Sequence, residues 1–210
     1  MLQQGRPFRL GTRVRRVRRV RRVAVAALIN LCLLAPASIS AGPATVAAVP
    51  RPDGARDFDF EIGRWKTDLR RLKRPLSNSR EWVSYSGTTK VTALWGGKAN
   101  LVELDVDGPA GRIRALSLRL YDPETREWSL NFASSAGGGL ALPSVGGFRE
   151  GRGEFYNQET IGGRTVLVRF VISDIKPDSV RFEQAFSADG GRSWEVNWIA
   201  LDTRLPEQTG

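Results

Sequence analysis

Between residues 62 and 204 apolar side chains fall on alternate positions, and short turn-forming clusters interrupt the alternation again and again. Leu116, Leu118 and Leu120 share one face of a strand ending at Tyr121. DPET then turns the chain, with Pro123 where its fixed φ suits a turn, and Trp128, Leu130 and Phe132 share a face on the way back. Val102, Leu104 and Val106 precede a GPAG turn. Val166, Val168, Phe170 and Ile172 precede KPDS, and Val180, Phe182 and Phe186 precede ADGG, after which come Trp194, Val196 and Trp198. A period of two marks strands, and no helical period extends beyond one turn near 57–61. The pattern predicts strands at about 62–73, 80–86, 88–95, 99–107, 112–121, 126–134, 148–159, 163–174, 179–187 and 193–204.

Consecutive strands joined by short turns form an up-and-down meander. A sheet of about 8–10 such strands closes on itself because closure removes its exposed edges. The expected fold is all-β, an antiparallel up-and-down barrel, with a β-sandwich as the alternative. The longest connection, ASSAGGGLALPSVGGF at 133–148, holds five glycines and several apolar residues, and is expected to lie across one mouth of the barrel.

The first residues have a different grammar. MLQQGRPFRLGTRVRRVRRVRRV carries nine arginines and no acid, and is followed by the apolar run AVAALINLCLLAPASIS and the small residues AGPATVAAV. These are the three parts of a secretory signal peptide. Residues 1–41 are therefore expected to be removed, by cleavage at about 40–48, leaving a flexible leader at 42–56, a domain at 57–205 and a tail at 206–210. The run is short for a lasting membrane span, which needs about 20 apolar residues, and Asn30 and Pro36 interrupt it. Arg21-Arg22 keeps twin-arginine export open beside the general route. Cys32, preceded by Leu31, does not fit a lipid-anchor motif. The expected location is bacterial and exported, in the periplasm or outside the cell.

Export changes the meaning of the charge. The chain has 32 basic and 22 acidic residues, but the first 41 hold nine of the basic ones, so the rest balances 23 against 22. Nucleic acid is thus not an expected partner. The only cysteine leaves with the signal and the chain has no histidine, which removes Ser-His-Asp triads, thiol nucleophiles, His/Cys zinc sites and histidine-ligated haem. No catalytic residue, no metal site and no cofactor is assigned.

FDFEIGRW at 58–65, with Gly63 and Trp65 in a Gly-x-Trp pattern, resembles the opening of lipocalin-like (calycin) barrels. NLVELDVDG (100–108), LRLYDPETREW (118–128), GGFREGRGEFY (146–156) and FEQAFSADGGRSWEVNWIALDTR (182–204) extend the likeness over 57–205. Together they resemble a bacterial family of exported calycin-like proteins of unknown function. The resemblance implies that Trp65 plugs the closed end and that a basic residue of the last strand, Arg204, packs over its ring. Haem-binding relatives use an axial histidine, so that activity is not carried over.

Residues 187–194, SADGGRSW, have the Ser-x-Asp-x-Gly-x-x-Trp spacing of the Asp-box of sialidases. A single copy in a chain too short for a propeller reads instead as a hairpin turn. In that reading Asp189 bonds the backbone, Gly191 permits positive φ and Trp194 anchors the turn on the core. Asp105-Val106-Asp107-Gly108 lacks the further carboxylates of a calcium loop, and Gly137-Gly138-Gly139 lacks the Lys-Ser/Thr of a phosphate loop.

Polar residues inside strands are the candidate ligand-binding set. Gln184 shares a face with Val180, Phe182 and Phe186 and is expected as a polar handle in an apolar pocket. Arg119, Arg169, Glu183 and Asn197 lie opposite apolar faces: they either face water or an interface, or converge in a wet lumen. Three functions follow. The first is binding of a small, partly apolar molecule in the barrel. The second is a non-enzymatic envelope or dimerising module, a homodimer being suited by outward apolar residues such as Leu167 and Val171. The third is a carboxylate-based isomerase or hydrolase with a lumen glutamate.

Overall fold

Short turns and alternating faces dictate a chain that runs up and down beside itself, and the computed structural model, which describes residues 53–206, follows that course. The strands are β1 (Gly63–Leu72), β2 (Trp82–Leu94), β3 (Ala99–Asp107), β4 (Ile113–Asp122), β5 (Glu127–Ser134), β6 (Ser144–Arg149), β7 (Arg152–Ile161), β8 (Arg164–Ser173), β9 (Ser179–Ser187) and β10 (Glu195–Arg204). Each pairs antiparallel with the next, and β1 pairs with β10 to close the barrel. The signal peptide at 1–41, most of the leader and tail residues 207–210 lie outside the described residues.

Ten strands are present, but two boundaries differ from the sequence pattern. The stretches expected at 80–86 and 88–95 are one strand, β2, which runs straight through Gly87. A Cβ there would stand 2.1 Å from the Asp105 carbonyl, so this glycine marks a close approach to β3 rather than a break. Conversely the stretch expected at 148–159 is a hairpin, turned by Glu150 and Gly151 at φ +52° and +76°. The end of the expected long loop is thus β6, and the open segment shrinks to 135–143.

Gly146 lets β6 join the wall. Its missing Cβ would stand 2.0 Å from the Glu154 carbonyl of β7. Gly146→Ala is expected to cost about 1–3 kcal/mol in urea denaturation, the usual range for an overpacked site. Gly147→Ala, whose nearest neighbour is 3.9 Å away, should stay within about 0.5 kcal/mol.

One end of the barrel is plugged. Asp59–Glu61 form the single helical turn expected near 57–61, which passes beneath the strands. Phe58 meets Trp128 and Phe148 edge-on at 4.9 and 5.0 Å and lies 5.9 Å from Phe155. Trp128 Nε1 donates to the Gly54 carbonyl at 2.9 Å and Tyr121 Oη to that of Asp53. Residues 53–56, assigned to the flexible leader, are therefore tied to the barrel. Trp65 is fully buried, and its Nε1 donates to the Glu61 carbonyl at 2.7 Å. The Arg204 guanidinium lies 4.0 Å from the Trp65 ring and donates to the carbonyls of Ile62, Phe60 and Pro177. Gly63, at φ +126°, leaves room for that guanidinium, which a Cβ would meet at 3.0 Å.

The SADGGRSW turn is a hydrogen-bonded hairpin. Ser187 Oγ donates to Asp189 Oδ1 and accepts from the Gly191 amide, both at 2.8 Å. Ser193 donates its amide at 3.0 Å and its hydroxyl at 2.6 Å to Asp189. These donors hold the Asp189 carboxyl well below the usual range. Gly191 adopts φ +89°. Trp194, expected to anchor the turn on the core, instead packs on the outer wall, 6.2 Å from the Tyr156 ring and 4.5 Å from the Arg169 guanidinium.

Candidate functional site

Above the plug the lumen is not filled, and a cavity of about 180 Å³ remains. Its walls are apolar, built from Val102, Leu104, Leu130, Phe170, Phe182 and Trp198. Its floor is polar, where Glu61, Arg119 and Asp202 meet Thr67 and Thr89. The wall is weakest between β5 and β6, which share only three residue pairs. Residues 140–142 bridge that gap: the Ala141 amide donates to the Phe132 carbonyl at 2.8 Å, and Asn157 Nδ2 donates to the Leu142 carbonyl at 2.9 Å. The remnant of the glycine-rich loop therefore borders the cavity, with Ala141 and Leu142 among its lining.

Strand β4 supplies the largest departure from the sequence pattern. Its leucines, expected inside, face outward, and Leu116 is 46% exposed. The register explains why. Val102 and Leu104 of β3 point inward and pair with Ser117 and Ala115, so Leu116, opposite Glu103, must point out. Arg119 then points in and is only 3% exposed. Both its terminal nitrogens meet the Glu61 carboxylate, Nη2 at 3.2 Å from Oε1, and its guanidinium covers Phe58 at 4.3 Å. A buried charge needs such a partner, and the helical turn before β1 delivers it.

Asp202 is 3% exposed, and its Oδ1 has no hydrogen-bond partner. Burial pushes its pKa up to about 7, Glu61 adds to the rise, and the Thr67 hydroxyl and Arg119 oppose it. Near neutrality this carboxyl can donate or accept a hydrogen bond, or exchange a proton with a bound molecule. Thr67 and Thr89 bond each other at 2.7 Å beside it. Asn157 Oδ1, also buried in the lining, is without a partner.

Of the candidate ligand-binding residues, Gln184 lines the cavity, as its parity requires. Asn197, expected on the face opposite the tryptophans, is brought to Gln184 by a bulge between Val196 and Trp198, and its Oδ1 accepts from Gln184 Nε2 at 3.1 Å. The same bulge breaks the shared face expected for Trp194, Val196 and Trp198. Arg119 joins the lumen through Glu61. Arg169 and Glu183 do not: Arg169 stacks on Trp194 outside, and Glu183 pairs with Arg181 at 2.9 Å. The convergence of Arg169 and Glu183 with Arg119 inside a wet lumen is thus corrected, because strict alternation on β8 and β9 sends both outward.

The polar residues not anticipated include Glu61, Thr67, Thr89, Asn157, Glu159 and Asp202. Parity carried a signal for most of them: Thr67 alternates with Trp65 and Leu69, Asn157 and Glu159 follow Phe155, and Asp202 follows Trp198 and Ala200. Glu61 sits outside any strand and had no such signal. Among the described residues no cluster of three metal-ligating side chains occurs, and Asp105 is bound by Arg112 at 2.6 Å.

No family model and no curated protein matches the chain. Among solved structures it is similar to the S-type phycobiliprotein lyase CPES from Guillardia theta, with 11% identity, a TM-score of 0.49, and coverage of 72% of this chain and 92% of that one. It is also similar to a de novo designed fluorescence-activating β-barrel, at 12% identity and TM-score 0.39, covering 71% and 98%. A redesigned barrel, mFAP0, bound to DFHBI, matches at 8% identity and TM-score 0.38, covering 69% and 99%.

Proposed function

We propose that this chain is an exported barrel protein that binds one small, partly apolar molecule in its lumen. The observation that carries the reading is the unfilled cavity, apolar on its walls with polar groups gathered at its floor, the composition of a small-molecule site. A core under no functional demand closes such volumes with side chains, and here Ala115, Ser117 and Ala200 stand where larger residues would fill it. Export rests on the basic, apolar and small-residue segments of the first 48 residues. N-terminal sequencing of the protein recovered from the cell envelope is expected to start between 41 and 49.

The binding reading is tested with 2-phenylethanol, followed by heteronuclear NMR on the full protein. Shifts are expected at lumen positions such as Leu104, Phe182 and Trp198, and Ala200→Phe, which fills the cavity, should weaken binding at least tenfold. If neither this alcohol nor the amine and the carboxylate of the same shape, 2-phenylethylamine and 3-phenylpropionate, moves a lumen resonance at millimolar concentration, the reading fails.

A second reading, a homodimer through the outer wall, is supported by apolar side chains left exposed there: Val145 of β6 and Tyr156 of β7, which pair across their strands, are 40% and 45% exposed. Sedimentation at high concentration tests it; a monomer throughout removes it.

A further inference from the structure

Four ionisable side chains line the cavity, and they do not balance: Glu61, Glu159 and Asp202 stand against Arg119 alone. Arg119 is held by Glu61 through both terminal nitrogens, so those two charges cancel. The remaining polar surface is mainly acceptor. Asp202 Oδ1 and Asn157 Oδ1 are buried without donors, and Arg119 Nε is the one unpartnered donor in the lining. A buried acceptor without a donor is costly, and a ligand that supplies the donor removes the cost. An ammonium fits this requirement: it carries donors only, and a positive charge. The rings of Phe170, Phe182 and Trp198 also line the cavity, and an aromatic face favours a cation over an anion. Size narrows the class further. A cavity of roughly 150 Å³ accommodates benzene, so one of about 180 Å³ suits a single ring or branched alkyl group with a short tail.

We propose that the lumen selects small organic amines, held as the ammonium at Asp202 with their apolar body among Leu104, Phe170, Phe182 and Trp198. This rests on the lumen being a binding site, as proposed above. The groups acting on Asp202 inside the barrel are Thr67, Glu61 and Arg119, with Asp68 adding a negative charge from the outer face of β1, and only Arg119 is cationic. An alkylammonium keeps its proton across neutral pH, whereas Asp202 loses its own there, so amine affinity rises between pH 6 and 8.

The test is calorimetric titration of the full protein at pH 8 with three probes of one shape: 2-phenylethylamine, 2-phenylethanol and 3-phenylpropionate. The amine is expected to bind at least about tenfold tighter than the alcohol, in keeping with a charge-assisted hydrogen bond, and the carboxylate not at all. Asp202→Asn should abolish the preference for the amine over the alcohol and flatten the amine's pH dependence. An alcohol that binds as tightly as the amine, a carboxylate that binds best, or a preference that survives Asp202→Asn overturns the amine assignment while lumen binding stands. Failure of all three probes to bind overturns both.

Discussion

Replacing Arg119 by methionine is expected to destabilise the protein by about 3–5 kcal/mol in urea denaturation at pH 7. The guanidinium is almost wholly buried, and so is the Glu61 carboxylate it meets with two nitrogens. Removing the cation leaves an uncompensated charge on the lumen floor and strips the cover from Phe58, whose ring the guanidinium faces at 4.3 Å. The attraction between the two ions offsets their desolvation only while both are present. Glu61→Leu with Arg119→Met should therefore recover most of the loss, since a buried pair exchanged for apolar residues of similar volume is often neutral or better. A single variant that costs less than about 1 kcal/mol would mean that water reaches the pair, and the floor would then have to be redrawn as solvated. The double variant also separates stability from binding: its cavity would keep Asp202 but lose the Glu61–Arg119 pair beside it, so amine affinity in that background reads Asp202 without that pair.

The barrel itself was written in the alternation. Val102 and Leu104, then Val166, Val168, Phe170 and Ile172, and then Val180, Phe182 and Phe186 point inward as their period says. Where both faces are plausible, period alone fails. β4 carries leucines on one face and Ala115, Ser117 and Arg119 on the other; the hydrophobic face looks like the buried one, yet the register imposed by β3 turns it outward. The reason is energetic at the level of the whole barrel: the arginine has a buried partner waiting in Glu61, and that partner belongs to a helical turn some sixty residues away in sequence. No local pattern holds that information. Bulges do similar damage. One extra residue at Asn197 shifts β10 by a single step, so Trp194 ends on the outer wall while Trp198, Ala200 and Asp202 face the lumen. The Trp65–Arg204 stack, by contrast, came from a short motif and lies where the resemblance implies, because its geometry depends on the end of one strand meeting the end of another across the closing seam.

Asp202→Asn should act in the opposite direction to the Arg119 variant and stabilise the protein above neutrality. The carboxyl has an ordinary pKa of 3.8 in an open chain and about 7 in the barrel. Below pH 3.8 it is protonated in both states and favours neither. Between 3.8 and 7 the unfolded chain releases the proton while the folded one holds it, so stability falls as pH rises, by about 1.4 kcal/mol per unit. Above 7 the fall is complete, at roughly 4 kcal/mol. Asparagine keeps the shape, carries no charge at any pH and escapes the penalty. The difference in unfolding free energy between variant and parent is therefore expected to grow by roughly that amount from pH 4 to pH 8 and then level off. Asp68, Glu81, Asp105, Glu154 and Asp189 are held below their ordinary values and pull the parent's stability the other way as pH rises, but they are present in both proteins and cancel in the difference. A difference that stays flat across this window would show that Asp202 ionises as freely as an exposed carboxylate, and the amine proposal would lose its pH dependence with it. A difference that grows would show a barrel keeping, at neutral pH, a carboxylate that weakens its own fold. Sites that work against stability in this way are where function is to be sought, because the missing compensation is what a ligand supplies.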